Sequence, residues 1–307
     1  VKFGIIDLPK FYLDFNNYKK LNAAVDVKME IEHLKSEGIQ GLVLDLRNNG
    51  GGSLPAVVDM AGLFIENGPI VQVRSTGEPK QILEDKDKSI TWDGPLVILV
   101  NELSASASEI MSAAMQDYKR AIIIGSKQTY GKGTVQNVLD LNNWVRNNTS
   151  GDLGALALTT QKYYRINGGS VQLEGVKSDV VVPDRFSYIE VGEKDKANAL
   201  PWDEIDSAKY LTWSNYFDFE KTIQNSNERM RNNPQLKLID ENAKWVKSKI
   251  DEKTVTLNYK KYKAQMTLNE DEAKRFDVIN DYKTNLTFDS PKYEKELFAK
   301  DTTDLQE

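Results

Sequence analysis

Three short stretches of this 307-residue chain combine residue types that do chemistry with spacings that would expose them. The first is Asn101-Glu102-Leu103-Ser104-Ala105-Ser106-Ala107-Ser108-Glu109, between an apolar run and an alanine-rich segment. A helix start there would offer free N–H groups and a partial positive charge to a developing oxyanion. The same residues also make an ordinary cap: Ser106-x-x-Glu109 has the capping-box spacing, and Ser104 is a second candidate cap. Read alone, capping is the stronger account. The second stretch is Gly125-Ser126-Lys127-Gln128-Thr129-Tyr130-Gly131-Lys132-Gly133-Thr134-Val135-Gln136. It lacks the phosphate-loop order, because Gly133 separates Lys132 from the hydroxyl of Thr134. A lysine between glycines lies where backbones can approach closely, or is simply a solvated turn residue. The third, Asn48-Asn49-Gly50-Gly51-Gly52, is either an anion-directed run of N–H groups or a plain tight turn.

A serine nucleophile needs a base, and composition narrows the choice. The chain has no cysteine, which removes thiolate nucleophiles, disulfides and cysteine-ligated metals. It has one histidine, His33, so no histidine-rich metal site is possible. His33 sits mid-helix beside Ile31 and Leu34 with no orienting group near it in sequence. A lysine can replace histidine where burial removes its charge, and serine–lysine pairs are a variant of the triad logic. No cofactor is called for.

The elements that must hold these loops alternate between strand and helix. Val1–Asp7, Leu42–Leu46, Ile70–Arg74, Pro95–Val100 and Ala121–Ile124 read as strands. Ala24–Glu37, Leu54–Ile65 and Ser104–Tyr118 read as helices, and Gly38 is a stop. Ala155–Gln161 and Tyr163–Ile166 read as a late strand pair turning at Asn167-Gly168-Gly169. This alternation predicts an α/β layer fold. No apolar run approaches the ~20 residues of a membrane span. Net charge is −6, which disfavours a nucleic-acid binder. Charge density rises along the chain, from 42 charged residues in the first 187 to 44 in the last 120. The boundary falls in Gly192–Asn198, dividing a core (1–191) from a helical domain (192–307).

Taken together, the motifs resemble the tail-specific, or carboxy-terminal processing, serine proteases. The likeness rests on Asp45-Leu46-Arg47-Asn48-Asn49-Gly50-Gly51-Gly52, Ser104-Ala105-Ser106-Ala107-Ser108-Glu109-Ile110 and Gly131-Lys132-Gly133-Thr134-Val135-Gln136. It extends through Met115-Gln116-Asp117-Tyr118, Lys162–Ser170 and Asn198-Ala199-Leu200-Pro201-Trp202-Asp203. It covers nearly all of residues 1–205 and, more loosely, the tail. One extra residue lies between Gly125 and Gly131.

The resemblance implies an α/β, crotonase/ClpP-like protease core of mixed sheets and helices, followed by a mostly helical C-terminal domain. It makes Ser106 the nucleophile, Lys132 the general base and Gln136 the residue that holds the lysine amine. Ala107 and a glycine among Gly50, Gly51 and Gly52 would form the oxyanion hole. Asp117 would be a charged partner, although eleven residues of straight helix put it roughly 16 Å along the axis from Ser106. Asp45 and Arg47 would brace the glycine turn. Further expectations are a PDZ domain upstream of Val1, protein or peptide substrates bound as extended chains, a possible adaptor protein, and a bacterial periplasmic or envelope location. The competing reading is a non-catalytic peptide-binding module on the same scaffold. The tail aromatics Tyr210, Trp213, Tyr216, Phe217 and Trp245 either anchor the tail on the core or build the tail's own core.

Overall fold

The computed structural model describes residues 1–14, 17, 22–145, 151–214, 217–281 and 283–296. Five parallel strands form the first sheet, in the order β1 (Phe3–Asp7), β2 (Gly41–Asp45), β5 (Leu96–Val100), β6 (Ile122–Gly125) and β9 (Val180–Val181). The central strands are the apolar runs, as expected where helices cover a parallel sheet. Leu42, Leu44, Ile98 and Ile123 are fully buried. The second sheet is antiparallel, in the order β4 (Gln81–Asp85), β3 (Gly68–Ser75), β8 (Ala155–Tyr164) and β7 (Thr134–Asp140).

Helix α1 (Ala23–Ser36) starts at Asn22, whose side chain accepts from Ala24 N–H, and is followed by Gly38 at φ 75°. Helix α2 (Leu54–Gly62) starts at Ser53, with Pro55 in its first turn where no N–H is needed. Val57, Met60 and Ala61 of α2 and Ile110, Met111 and Ala114 of α3 (Ala107–Asp117) belong to one core. The α/β class expected from the alternation is the one observed.

Two expectations change. Residues 155–166 do not fold on themselves. They contain one long strand, β8, with β3 on one side and β7 on the other. Helix α3 begins at Ala107 and not at Ser104, because Ser106 adopts φ 56° and ψ −111°.

The C-terminal part holds α4 (Phe219–Asn232), α5 (Pro234–Asp251) and α6 (Tyr259–Lys274). Its aromatics divide between the two expected roles. Trp213 N–H donates to Tyr118 O at 2.7 Å, the Arg120 guanidinium lies 4.8 Å from the Trp213 ring, and Tyr210 meets Tyr118 edge-on at 5.4 Å. Trp245 instead packs on Phe276 at 5.8 Å and donates to Glu272, inside the tail. Phe217 meets Phe219 at 5.9 Å, and Tyr216 lies outside the described residues. His33 stacks on Tyr293 at 4.0 Å, away from the three loops.

Candidate active site

The three loops follow the C-terminal ends of three neighbouring parallel strands. The glycine turn follows β2, the Ser106 turn follows β5, and the Lys132 loop follows β6. This is the edge of an open α/β sheet where ligand sites form.

The glycine turn and the Ser106 turn are laced together. Asn48 N–H donates to Asn101 Oδ1 at 2.9 Å, and Asn101 Nδ2 returns to Asn48 Oδ1 at 2.8 Å. Ala105 N–H donates to Asn49 O at 3.0 Å. Ser104 Oγ donates to Leu46 O and Ser108 Oγ to Asn49 O, each at 2.8 Å, and both serines are fully buried. Asp45 braces the turn, accepting from Arg47 Nε at 2.9 Å and from Arg47 N–H at 3.0 Å.

Ser106 differs from its two neighbours. It is half-buried and sits at positive φ, a conformation costing of order 1–3 kcal/mol for a non-glycine residue. Gly51, at φ 102°, lies against it. A Cβ on Gly51 would stand 2.8 Å from Ser106 Cβ and 3.0 Å from Ala107 N. Only a glycine can approach that closely. Gly51 N–H is engaged by Asn49 Oδ1 at 2.9 Å. A Cβ on Gly52 would run into Phe11 O, whereas one on Gly50 would meet open space.

Glu109 does far more than cap. Its fully buried carboxylate accepts from Ser106 N–H at 2.8 Å and Lys132 N–H at 3.0 Å through Oε2. Through Oε1 it accepts from Thr129 Oγ1 at 2.6 Å and Gly131 N–H at 2.7 Å. Burial pushes its pKa up to about 7, against the pull of those four donors. The capping-box spacing marked Glu109 in the sequence. Its three contacts to the lysine loop lie 20 to 23 residues away and left no local trace.

Lys132 lies on the same face. Its Nζ donates to Gln136 Oε1 at 3.4 Å, and no hydrogen bond joins it to Ser106. Strand β7 carries a bulge between Val135 and Gln136, a device that re-aims side chains. Two buried side chains that the sequence did not single out complete the surroundings. Tyr163 Oη reaches Lys132 O at 2.6 Å and Ser106 O at 3.2 Å, and Gln172 Oε1 accepts from Gly133 N–H at 2.8 Å.

Asp117 is not brought to Ser106 or Lys132. It ends α3 in a two-pronged ion pair with Arg165, at 2.5 and 3.1 Å, and accepts from Asn167 Nδ2 at 2.9 Å.

The sequence is similar to those of known proteins. The profile of peptidase family S41 matches residues 2–182, and that of the C-terminal domain of tail specific protease matches residues 186–307. The chain is 40% identical over 282 residues to the tail-specific protease of Haemophilus influenzae, covering 91% of this chain and 39% of that protein. It is 37% identical over 180 residues to the carboxy-terminal-processing protease of Bartonella bacilliformis, covering 57% and 38%. It is 36% identical over 159 residues to the chloroplastic C-terminal processing peptidase of Tetradesmus obliquus, covering 52% and 32%. The chain therefore spans less than half the length of each of these relatives.

Proposed function

The chain belongs to peptidase family S41, and on that premise we propose that it carries the catalytic centre of a serine endopeptidase working through Ser106 and Lys132. The observation that carries the proposal is the difference among three serines. The hydroxyls of Ser104 and Ser108 are engaged by backbone carbonyls, whereas Ser106 sits half-exposed in a strained turn. A strained, outward-facing serine at a helix start is the geometry that presents a nucleophile.

In this reading Ser106 Oγ attacks a peptide carbonyl carbon, and its proton passes to Lys132 Nζ acting as general base. The oxyanion is met by Ala107 N–H and by a glycine N–H of 50–52. Since Gly51 N–H is already held by Asn49, Gly50 or Gly52 supplies that second donor. The lysine then returns the proton to the leaving amine, and water resolves the acyl-enzyme by the same route. With the amine resting on Gln136, activation includes a turn of the Lys132 side chain onto Ser106. The substrate adds as a strand to the open edge of β7, which begins two residues after Lys132.

The same family likeness motivates the proposals of selection by C-terminal tails, an adaptor protein and a periplasmic or envelope location. Cell fractionation tests the location. A fluorophosphonate probe tests the chemistry: the adduct should map to Ser106 by mass spectrometry and vanish in Ser106→Ala. Labelling at Ser104 or Ser108 would overturn the assignment. Tail selection is tested by exchanging the last residues of one unfolded substrate protein, with no change in cleavage counting against it.

A further inference from the structure

The proposed base sits between two glycines, Gly131 and Gly133, so side-chain packing cannot fix its backbone there. Hydrogen bonds do this instead, and they cover every polar group around one peptide unit. Lys132 N–H is held by Glu109 at 3.0 Å. Lys132 C=O accepts from Tyr163 Oη at 2.6 Å. Gly133 N–H donates to Gln172 Oε1 at 2.8 Å. Gly133 C=O accepts from Tyr163 N–H at 3.0 Å.

Tyr163 is suited to this task. It is 1% exposed and pairs with Val73 in the middle of the antiparallel sheet, so its ring has no freedom to drift. A phenol has one proton to give. The shorter contact assigns it to Lys132 O, with Ser106 O at 3.2 Å as the second acceptor. One hydroxyl thus touches the backbone of both residues proposed to react. Gln172 is equally confined. It is fully buried, and its other end donates to Leu200 O at 3.0 Å, which fixes the amide with its oxygen toward Gly133.

We propose that Tyr163 and Gln172 are positioning residues that set the Lys132–Gly133 peptide unit relative to Ser106. The inference rests on the serine–lysine reading above. Neither side chain takes a proton from substrate. Each acts by keeping the lysine stem aimed, and a misplacement of about 1 Å in such a geometry costs on the order of a hundredfold in rate.

The test uses the intact protein, with Tyr163→Phe and Gln172→Met beside Ser106→Ala and Lys132→Arg. Rates of Ser106 phosphonylation by a fluorophosphonate, with fluoride leaving, and casein cleavage are followed from pH 6 to 10, with thermal melting as the check on folding. Tyr163→Phe should lower the phosphonylation rate and kcat roughly tenfold or more, leave KM within about twofold, and displace the pH midpoint of phosphonylation. Gln172→Met should act in the same direction, and it decides the matter if Tyr163→Phe does not fold. Folded variants with the parent phosphonylation rate and pH profile would overturn the positioning role. A loss confined to KM, or one that tracks melting temperature alone, would overturn it too. Turnover surviving in Ser106→Ala or Lys132→Arg is a separate result, and it would sink the serine–lysine reading and this inference with it.

Discussion

Ser106 and Lys132 donate their backbone N–H groups to the same atom, Oε2 of Glu109, at 2.8 and 3.0 Å. Two residues 26 positions apart are thereby fixed through one carboxylate oxygen. All four contacts to this carboxylate come from donors, and an amide offers only one accepting end. Glu109→Gln should therefore leave either the Ser106/Lys132 pair or the Thr129/Gly131 pair facing an NH2 group. At pH 8 the expected outcome is a loss of at least tenfold in fluorophosphonate labelling rate. An unchanged rate would show that the carboxylate does not set the geometry.

The same carboxylate gives a pH dependence with two opposite signs. Its pKa is pushed up to about 7 by burial. Below that pH it takes a proton that none of its three backbone N–H partners can accept, so labelling by the probe should fall as pH drops through about 7. Stability runs the other way. The folded form holds the proton more tightly than the unfolded chain, where the value is about 4.3. The contribution of Glu109 to stability is thus fully present below about pH 4.3 and is lost as pH rises through about 7. Melting temperatures and labelling rates measured in parallel from pH 5 to 8 should move in opposite directions, and both slopes should flatten in Glu109→Gln.

The serines at the start of α3 separate by role. Ser106→Ala should abolish turnover at a stability change below about 1 kcal/mol, because the Glu109 half of the cap uses the backbone N–H of residue 106 and survives. Ser104→Ala and Ser108→Ala keep the reactive hydroxyl but remove one of two donors from Leu46 O and Asn49 O, which retain Asn49 N–H and Ala105 N–H. Each should cost about 0.5–1.5 kcal/mol and keep measurable turnover. Denaturant melts with activity assays on the three variants check the division.

The glycine turn makes a steric prediction. Gly51→Ala would place a methyl group 2.8 Å from Ser106 Cβ at a φ of 102°, so it should lose labelling altogether. Gly50→Ala meets nothing within 4 Å and should fold and label normally. Equal behaviour of the two variants would mean that the turn does not bear on Ser106 as described.

Much of this arrangement was legible before folding. Apolar runs placed the parallel strands, and loops after such strands placed Ser106, Lys132 and the glycines together. Strands β4 and β7 escaped notice because they are largely exposed and mix polar with apolar residues, so neither alternation nor a buried run marks them. The wider role of Glu109, and those of Tyr163 and Gln172, escaped for another reason. Their partners are set by tertiary contact across 23, 31 and 39 residues, and propensity reads only neighbours. The late start of α3 is a tertiary override. The turn at Ser106 takes a strained φ that no local preference would choose.

The tail yields the last prediction. Residues 200–213 lie against the core that precedes them. Lys162 Nζ and Tyr164 Oη both hold Asp203, at 3.0 and 2.9 Å, on either side of Tyr163 in sequence. Trp202 Nε1 donates to Ser170 O at 2.9 Å, Ile205 N–H to Gly168 O at 2.9 Å and Ala208 N–H to Ile166 O at 2.8 Å. This segment is bonded to the core along its length, whereas Trp245 of α5 packs on Phe276, just beyond α6, and donates to Glu272 of α6. Truncation after Ser214 should leave Ser106 reactive toward a fluorophosphonate, at some cost in stability from the lost contacts of Lys119 with Glu220 at 3.1 Å, Asn227 Nδ2 with Asp179 O at 3.2 Å, Tyr188 with Asp240 at 2.6 Å and His33 with Tyr293 at 4.0 Å. Truncation after Ala199 should unfold or inactivate the core, because it strips Asp203, Tyr210 and Trp213 from their places. Within the longer form, Trp213→Ala should cost about 2 kcal/mol from lost apolar burial against Arg120 and Tyr118. If the chain ending at Ser214 folds by circular dichroism yet takes no label, the helices beyond it contribute directly to the active site.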